Sequence, residues 1–248
     1  MPSPPGAGPP ALLPVPPPAP PARDAQGALL ALLFVLTFNT GLVDAISYLL
    51  LGHVFVANMT GNVILLGFSL AGVEDFSLPA SLTALAVFAI GAAVGGRLGL
   101  KGKTPRHRQL ARALVLECAL IALAAVPLLA GLPPQDDFAR YWLIVLLGLA
   151  MGVQTATVRL LAVPDMTTTV LTMTLAGLAA DSSLAGGNNP RARRRLGAIV
   201  LMLAGAAIGA LLALHANPAL VLMLALVLLS VGGVVAYRGL RNGPAAQD

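Results

Sequence analysis

Cysteine, histidine and charged residues are all scarce in this chain, and each shortage excludes a kind of site or protein. The one cysteine, Cys118, excludes a disulfide within the chain and any cysteine metal cluster. The histidines, His53, His107 and His215, lie too far apart in sequence for a local zinc site. Charged residues make up 10% of the 248 residues, too few for the surface of an ordinary soluble domain. We therefore expect no metal site and no cofactor.

Sequence motifs of catalysis are also missing. The chain has no Gly-x-x-x-x-Gly-Lys-Ser/Thr nucleotide-binding loop, no Gly-x-Ser-x-Gly nucleophile elbow and no His-Glu-x-x-His zinc helix. Enzyme chemistry would have to depend on scattered residues. We therefore expect that the protein is not an enzyme.

Apolar residues, by contrast, are abundant. They make up 57% of the chain, and the mean hydropathy is +0.86, which is typical of a membrane protein. About 20 apolar residues in a helix cross a hydrocarbon core of about 30 Å. Eight segments qualify, and they run roughly from 27 to 51, 54 to 73, 80 to 100, 112 to 131, 140 to 162, 166 to 184, 196 to 214 and 218 to 237. The second and sixth are rich in Thr, Asn and Gly and fit half-helices as well as full spans, so an all-α polytopic membrane protein with six to eight spans is predicted.

The two ends of the chain differ from this apolar body. Residues 1–26 contain eleven of the 20 prolines, which favours an extended, disordered tail. The first apolar segment is of spanning length and lacks the basic start and cleavage site of a signal peptide, so we expect it to remain as an anchor. Residues 238–248 form a short polar C-terminal tail.

Basic residues cluster at segment ends and account for the net charge of +5. The clusters are Lys101, Lys103, Arg106, Arg108 and Arg112 in one connection, Arg191, Arg193, Arg194 and Arg195 in another, and Arg238 with Arg241 after the last segment. This placement indicates retention at the cytoplasmic side of an inner membrane and contact with lipid head groups, and it does not indicate nucleic acid. If the fourth, fifth and sixth segments all cross, however, the two large clusters lie on opposite faces. Either one segment does not cross completely or one basic connection is external.

Two stretches of the chain resemble each other. "GLVDAISYLLLG" from Gly41 aligns with "GVQTATVRLLAV" from Gly152, and "MTGNVILLGFSLAG" from Met59 aligns with "MTTTVLTMTLAGLA" from Met166. A duplicated four-segment unit is predicted, with repeats at 27–131 and 140–237 joined by a loop at 132–139. Chance similarity in an apolar chain of low complexity is the alternative. Opposite charges in matching loops favour an inverted second unit, but four full spans per unit would not permit inversion.

These same stretches carry a resemblance to a known family. "GLVDAISYLLLGHVFVANMTGNVILLG" and "GVQTATVRLLAVPDMTTTVLTMTLAGLA" are similar to the YoaK-type family of bacterial inner-membrane proteins, over about residues 27 to 240. This family usually has an Asn-Ala pair after the Gln, where this chain has Thr155 and Ala156. The resemblance implies a multi-pass membrane protein and no established activity.

Polar residues inside the apolar segments are the candidate functional residues. A carboxylate at membrane depth costs about 2.5 to 3.5 kcal/mol and needs a partner, so Asp44 is predicted to pair with Arg159 of the equivalent helix. Glu117 is predicted to lie near the interface in a structural role, and Asp165 to cap the next helix. The candidate substrate-binding residues are Asn39, Asp44, Asn58, Thr60, Asn62, Gln154, Arg159, Thr167, Thr168 and Thr169. Packing alone is the competing interpretation for each.

Two functions fit this sequence. The first is a small transporter or channel for a solute or ion, with a polar site near the repeat interface. The second is a non-transporting membrane scaffold or sensor whose polar residues serve packing. Small residues in "GAAVGG" (91–96) and "GAAIGA" (205–210) predict close helix packing, within the chain or with a second copy of it.

Overall fold

The structure, a computed structural model, describes residues 23–99, 105–161, 171–189 and 191–241. These residues form eight α-helices and a short 3-10 helix at Ser183–Ala185, and they contain no strand. The helices are α1 (Arg23–Leu50), α2 (Met59–Leu70), α3 (Leu78–Gly99), α4 (Arg106–Leu129), α5 (Asp137–Leu161), α6 (Leu171–Ala180), α7 (Ala192–His215) and α8 (Pro218–Arg241). The prediction of an all-α polytopic membrane protein is confirmed.

Helix length separates six spans from two short helices. Within the described residues, six helices are long and apolar enough to cross a membrane, namely α1, α3, α4, α5, α7 and α8. The helix α2 has 12 residues and α6 has 10. At 1.5 Å per residue they extend only about 18 Å and about 15 Å, well short of a core about 30 Å thick. The two segments rich in Thr, Asn and Gly are therefore the short ones.

Close glycine contacts give the relative directions of the long helices. On α7, Gly205 packs against the backbone of Phe38, and Gly209 packs against the backbone of Leu42. The later residue of α7 therefore contacts the later residue of α1. These two helices are parallel. The same relation holds for α3 and α5, where the contacts join Gly91 to Leu149 and Gly95 to Val153.

The helices α4 and α8 run in opposite directions. Gly233 faces Leu114, whereas the earlier residue Ser230 contacts the later residue Cys118 at 3.8 Å between Oγ and Sγ. If α6 crossed the membrane, three spans would separate α4 from α8, and the two helices would be parallel. The antiparallel contact therefore requires that α6 enters and leaves on one face.

The same reasoning applies to α2. Because α6 does not cross, α5 and α7 run in opposite directions, and so do their parallel partners α3 and α1. A crossing α2 would make α1 and α3 parallel. Each half of the chain therefore has three helices of spanning length and one short helix. This agrees with the prediction of six to eight spans in which the second and sixth segments are broken.

This arrangement removes the conflict between the basic clusters. The end of α3, the starts of α4 and α7 and the end of α8 all lie at one end of the bundle, which we call the basic face. The connections that carry Glu74 and Asp75 and Asp136 and Asp137 lie at the other end, the acidic face. The described residues of each large basic cluster therefore lie at the same end of the bundle.

Four helices form the centre of the bundle. The helix α1 packs on α8, α8 on α4 and α4 on α5, and a smaller contact between α5 and α1 closes the ring. We call this ring the four-helix core. The helices α7 and α3 pack on the outside, against α1 and α5 respectively, through the glycines of 205–210 and 91–96. A Cβ at Gly209 would lie 2.8 Å from the Leu42 carbonyl oxygen, so this close approach requires glycine.

Contacts in the two halves occur in matching pairs. A Cβ added at Gly41 would collide with the backbone of Met202 and Ala206, and one added at Gly152 would collide with Phe88 and Ala92. Gly41 and Gly152 are the positions aligned in the sequence comparison. The helix contacts match as well, since α1 on α7 corresponds to α5 on α3, and α1 on α8 corresponds to α5 on α4.

Candidate functional site

Asp44 binds the connection between α1 and α2. It lies about 9 Å from the end of α1 at 1.5 Å per residue, and its side chain is buried. Its Oδ1 accepts hydrogen bonds from the backbone N–H groups of Val56 at 3.1 Å and Ala57 at 2.9 Å. Such amides need a partner inside a membrane because no water is available there. The connection therefore folds back into the bundle to the depth of Asp44.

The predicted ion pair between Asp44 and Arg159 is wrong. Arg159 is exposed in the last turn of α5, and Asp44 bonds to backbone amides instead. The cause is the antiparallel course of α1 and α5. Asp44, late in α1, lies towards the acidic face, whereas Arg159, late in α5, lies at the basic face.

The stretch "FVANMTGN" builds the turn into α2. Asn62 is fully buried, and its amide bonds twice to one residue: Oδ1 accepts from Phe55 N–H at 2.8 Å, and Nδ2 donates to Phe55 O at 2.5 Å. Asn58 caps α2 by accepting from Gly61 N–H at 3.3 Å. A Cβ at Gly61 would lie 2.8 Å from the Phe55 ring. Thr60 is exposed. The motif thus fixes the local backbone.

An aromatic cluster holds this re-entrant segment, residues 51–70, at the acidic face. Tyr48 near the end of α1 stacks on Phe55 with ring centroids 4.8 Å apart. Phe68 in the last turn of α2 lies 5.7 Å from Phe76, which also contacts His53. The end of α2 is therefore near the end of α1, while its start is near Asp44. The helix α2 begins inside the membrane and runs outward.

A second polar group lies in the four-helix core. Asn39 of α1 is fully buried, and its Nδ2 donates to the Ala225 carbonyl of α8 at 3.0 Å. Gln154 of α5 is buried, and its Nε2 donates to Thr40 Oγ1 at 3.0 Å. In the described part of the chain, the other amide oxygen of each, Asn39 Oδ1 and Gln154 Oε1, is buried with no hydrogen-bond partner.

Glu117 of α4 is also buried in the four-helix core, and the prediction that it lies near the interface is wrong. The helix α4 begins at Arg106 rather than at 112, which places Glu117 about 17 Å along it at 1.5 Å per residue, near the midpoint. The side chain is 1% exposed. Its neighbours on adjacent turns, Leu114 and Ile121, are also buried in the core. Among the described residues, its Oε1 has no hydrogen-bond partner.

The sequence does contain a pattern that places Glu117 on the buried face of α4. Buried residues of α4 recur at helical spacing, and Glu117 occupies one of these positions: Leu110, Ala113, Leu114, Glu117, Ile121, Ala124 and Leu128. A carboxylate on an otherwise apolar helix face is directed into a protein interior. Such an arrangement indicates a functional group more strongly than proximity to a basic cluster indicates a structural one.

The candidate residues therefore fall into two groups. Asp44, Asn58 and Asn62 hold the re-entrant segment, whereas Asn39, Thr40 and Gln154 lie in the core with Glu117. Thr155 also carries a buried hydroxyl without a partner in the described residues. Thr167, Thr168, Thr169 and the predicted cap Asp165 lie outside the described residues, as do positions 1–22 of the tail and 242–248 of the C-terminal tail.

The chemistry of the core group is that of hydrogen-bond acceptors. Asn39, Gln154 and Glu117 each present an unpartnered oxygen and lie on three different helices of the four-helix core. In the part of the chain that the structure describes, no three His, Cys, Asp or Glu side chains form a metal-type cluster. The group thus combines one carboxyl with neutral amide oxygens, which suits a ligand that donates hydrogen bonds or carries positive charge.

Six apolar spans, two short helices and a polar centre define a polytopic all-helical membrane protein. The chain belongs to the family described as "Protein of unknown function (DUF1275)", whose model matches residues 32–235. It is similar to the UPF0700 transmembrane protein YoaK of Bacillus subtilis (strain 168), with 37% identity over 154 residues. This alignment covers 61% of the chain and 66% of that relative, just under two thirds of its length. The predicted family resemblance is confirmed. No solved structure matches the chain.

Proposed function

We propose that the protein is a transporter of a small solute or ion and that the polar group of the four-helix core is its binding site. The observation that carries this proposal is that, within the described residues, a carboxyl oxygen of Glu117 and the amide oxygens of Asn39 and Gln154 are all buried without a hydrogen-bond partner on helices of the same four-helix core. Each unsatisfied buried group costs about 1 to 3 kcal/mol. Apolar side chains of similar size would pack without this cost, so a packing role alone accounts poorly for all three. A ligand that bonds to them does account for them.

We further infer that the two halves arose by duplication and are inverted with respect to each other. The matching contacts of Gly41 and Gly152 support this, as does the number of three spans per half, which reverses the second copy. Inverted repeats are frequent in transporters, where sites form near the midplane at the repeat interface. The bond from Gln154 to Thr40 joins the equivalent helices α5 and α1 at such an interface. This support is an analogy of architecture.

The orientation follows from charge. Lys and Arg accumulate in short cytoplasmic connections. The described residues of the large basic clusters all lie at the basic face, as this rule requires of a cytoplasmic side. We place the basic face, with the start of α1 and the end of α8, in the cytoplasm of a bacterium, with the chain in its inner membrane. The acidic face and the re-entrant segment then face the outside.

The ligand class follows from the acceptors. One carboxyl and two amide oxygens favour a monovalent cation or a small protonated amine over an anion, because the carboxyl group attracts positive charge and the unpartnered amide atoms are acceptors. The proposal does not include an enzymatic step.

The alternative, a scaffold or sensor without transport, is favoured by one observation. Asp44 and Asn62 are fully engaged in holding the re-entrant segment, so at least part of the intramembrane polarity serves structure. This observation does not extend to the unpartnered oxygens of the core. The two functions therefore make different predictions about Glu117.

Charge movement across proteoliposomes tests the proposal. Purified protein is reconstituted, adsorbed on a sensor and exposed to concentration jumps of sodium, potassium, ammonium and methylammonium, with protein-free liposomes as the control. We expect a saturable charge displacement with at least one of the four. The absence of a protein-dependent signal with all four, from protein that remains folded, would reject a cation transporter.

A further inference from the structure

A groove separate from the polar centre runs between α4 and α8 on the outside of the bundle. It has a volume of about 600 Å³, and its walls include the exposed side chains of Val115 and Val234. Arg108, Arg112 and Tyr237 surround the end at the basic face, and Cys118 with Ser230 marks the other end. Cys118 lies about 15 Å from Arg108 along the helix at 1.5 Å per residue. This depth equals about half of a hydrocarbon core of about 30 Å, that is, one leaflet.

Small residues keep the groove open. Gly233 and Ala111 line it, and Gly233 lies against Leu114, where an added Cβ would be 3.1 Å from Leu114 Cδ1. Ser230 is the small polar residue at the deep end, within 3.8 Å of Cys118 Sγ. Between this end and the arginines, the exposed wall is apolar. The groove therefore offers an apolar trough with a positively charged mouth.

Within the described residues, no acidic side chain pairs with the arginines at the mouth of the groove. Arg108 and Arg112 are one helical turn apart on the same side of α4, and both are exposed. In the described ranges, neither forms an ion pair, and the acidic residue of the same helix, Glu117, is buried in the core instead. Two adjacent guanidinium groups beside a tyrosine hydroxyl suit a phosphodiester, which accepts bidentate hydrogen bonds.

We propose that this groove binds an anionic phospholipid of the leaflet at the basic face. One acyl chain lies along Val115 and Val234 towards Cys118, and the phosphate is held by Arg108 and Arg112. A free phosphate ion would leave the apolar trough uncovered. A second copy of the chain in the same membrane orientation would bring the two arginine pairs to the same level, where they repel each other. A phospholipid covers the apolar trough with its acyl chain and neutralises the two arginines at the mouth with its phosphate.

Retention of lipid by the full chain in detergent tests this inference. The protein is delipidated, incubated with phosphatidylglycerol or phosphatidylcholine, and analysed by native mass spectrometry. We expect one retained phosphatidylglycerol per chain, and about thirtyfold weaker retention in the double variant Arg108→Gln, Arg112→Gln, because each basic residue near the membrane surface contributes about one kcal/mol. The matched control is Arg238→Gln, Arg241→Gln, which removes two arginines from the same face and should leave retention unchanged, because neither side chain lines the groove.

A second variant tests the apolar part of the site. Ser230→Leu fills the deep end of the groove at an exposed position and should weaken phosphatidylglycerol retention without changing folded yield. An equal loss of phosphatidylglycerol retention in the two double arginine variants would show general charge attraction and overturn the inference. Equal retention of phosphatidylglycerol and phosphatidylcholine by the wild-type protein would also overturn it. Competition by inorganic phosphate alone would show an ion site. A dimer that Ser230→Leu dissociates would show that a second copy occupies the groove. None of these outcomes depends on whether the protein transports a solute or ion.

Discussion

Gln154 donates its side-chain amide to Thr40 Oγ1 at 3.0 Å and so joins α5 to α1 between two helices that run in opposite directions. These are the aligned helices of the two halves, and Asp44 lies one turn further along the same side of α1. The buried polar residues on the two sides of this bond differ in whether their hydrogen bonds are satisfied. Towards the acidic face, Asp44 and the asparagines of the re-entrant segment are satisfied. In the four-helix core, Glu117, Asn39 and Gln154 retain free oxygens.

Removal of the Asp44 carboxylate should destabilise the fold, because two buried backbone amides lose their acceptor. An unsatisfied buried group costs about 1 to 3 kcal/mol, so Asp44→Ala should lower stability by about 2 to 6 kcal/mol. Asp44→Asn keeps an oxygen in the position of Oδ1, which accepts from both amides, and should lose much less stability than Asp44→Ala. Thermal unfolding in detergent measures both. An Asp44→Ala protein as stable as wild type would show that the amides of Val56 and Ala57 have another partner.

The two asparagines of the re-entrant segment should respond differently to the same change. Asn62→Asp replaces the donor to Phe55 O with an oxygen that repels it, so we expect a loss of about 2 kcal/mol or more. Asn58→Asp retains a good cap for α2 and should change stability by less than about 0.5 kcal/mol. Comparison of the two melting temperatures checks this. Equal sensitivity would indicate that Asn62 acts through burial alone.

Gly41 and Gly152 should be equally intolerant of a methyl group. A Cβ at either position meets the backbone of the neighbouring helix, and overpacking of this kind costs about 1 to 3 kcal/mol. Gly96→Ala is the control, because a Cβ at Gly96 meets no atom within 4 Å and alanine favours a helix. Folded yield and melting temperature measure all three variants. If only one of Gly41 and Gly152 were sensitive, the matching of the two halves would not extend to their packing.

The topology predicts which positions a membrane-impermeant thiol reagent reaches in intact cells. In a Cys118→Ala background, Asp75→Cys and Asp136→Cys should be labelled directly, since both lie at the acidic face. Arg193→Cys and Arg241→Cys should be labelled only after permeabilisation. Positions 136 and 193 bracket α5 and α6, so a difference in labelling between them shows that α6 does not cross. Direct labelling at positions 75 and 193 in the same intact cells would mean that α6 crosses the membrane.

The sequence predicted the class of fold and the helix positions because apolar length and turn composition determine both. The Thr-rich and Asn-rich segments were recognised as exceptional, and they are the two short helices. The partner of Asp44 was not predictable from the alignment of the halves. Alignment places Arg159 near Asp44 only if the two helices are parallel, and they are antiparallel. The depth of Glu117 was also predicted wrongly. The basic residues from Arg106 onwards form the first turns of α4, so the helix begins earlier and Glu117 lies further from its end.

The asparagines show the limit of composition as a guide to function. Asn62 and Asn39 are equally buried, yet Asn62 uses both ends of its amide on Phe55, whereas Asn39 uses only its nitrogen. Sequence marks both as polar residues at membrane depth. Only the path of the backbone around each decides whether an oxygen remains free for a ligand.

The most direct test of the central claim is cation-driven charge movement by Glu117→Gln protein in liposomes. This substitution keeps the size of the side chain and removes the carboxylate. We expect a loss of about tenfold or more in the displaced charge, with a melting temperature close to that of wild type, because the carboxyl contributes to binding and not to packing. Glu74→Gln, an exposed acid at the acidic face, is the matched control and should move charge as wild type does. Undiminished charge movement by a folded Glu117→Gln protein would contradict the account.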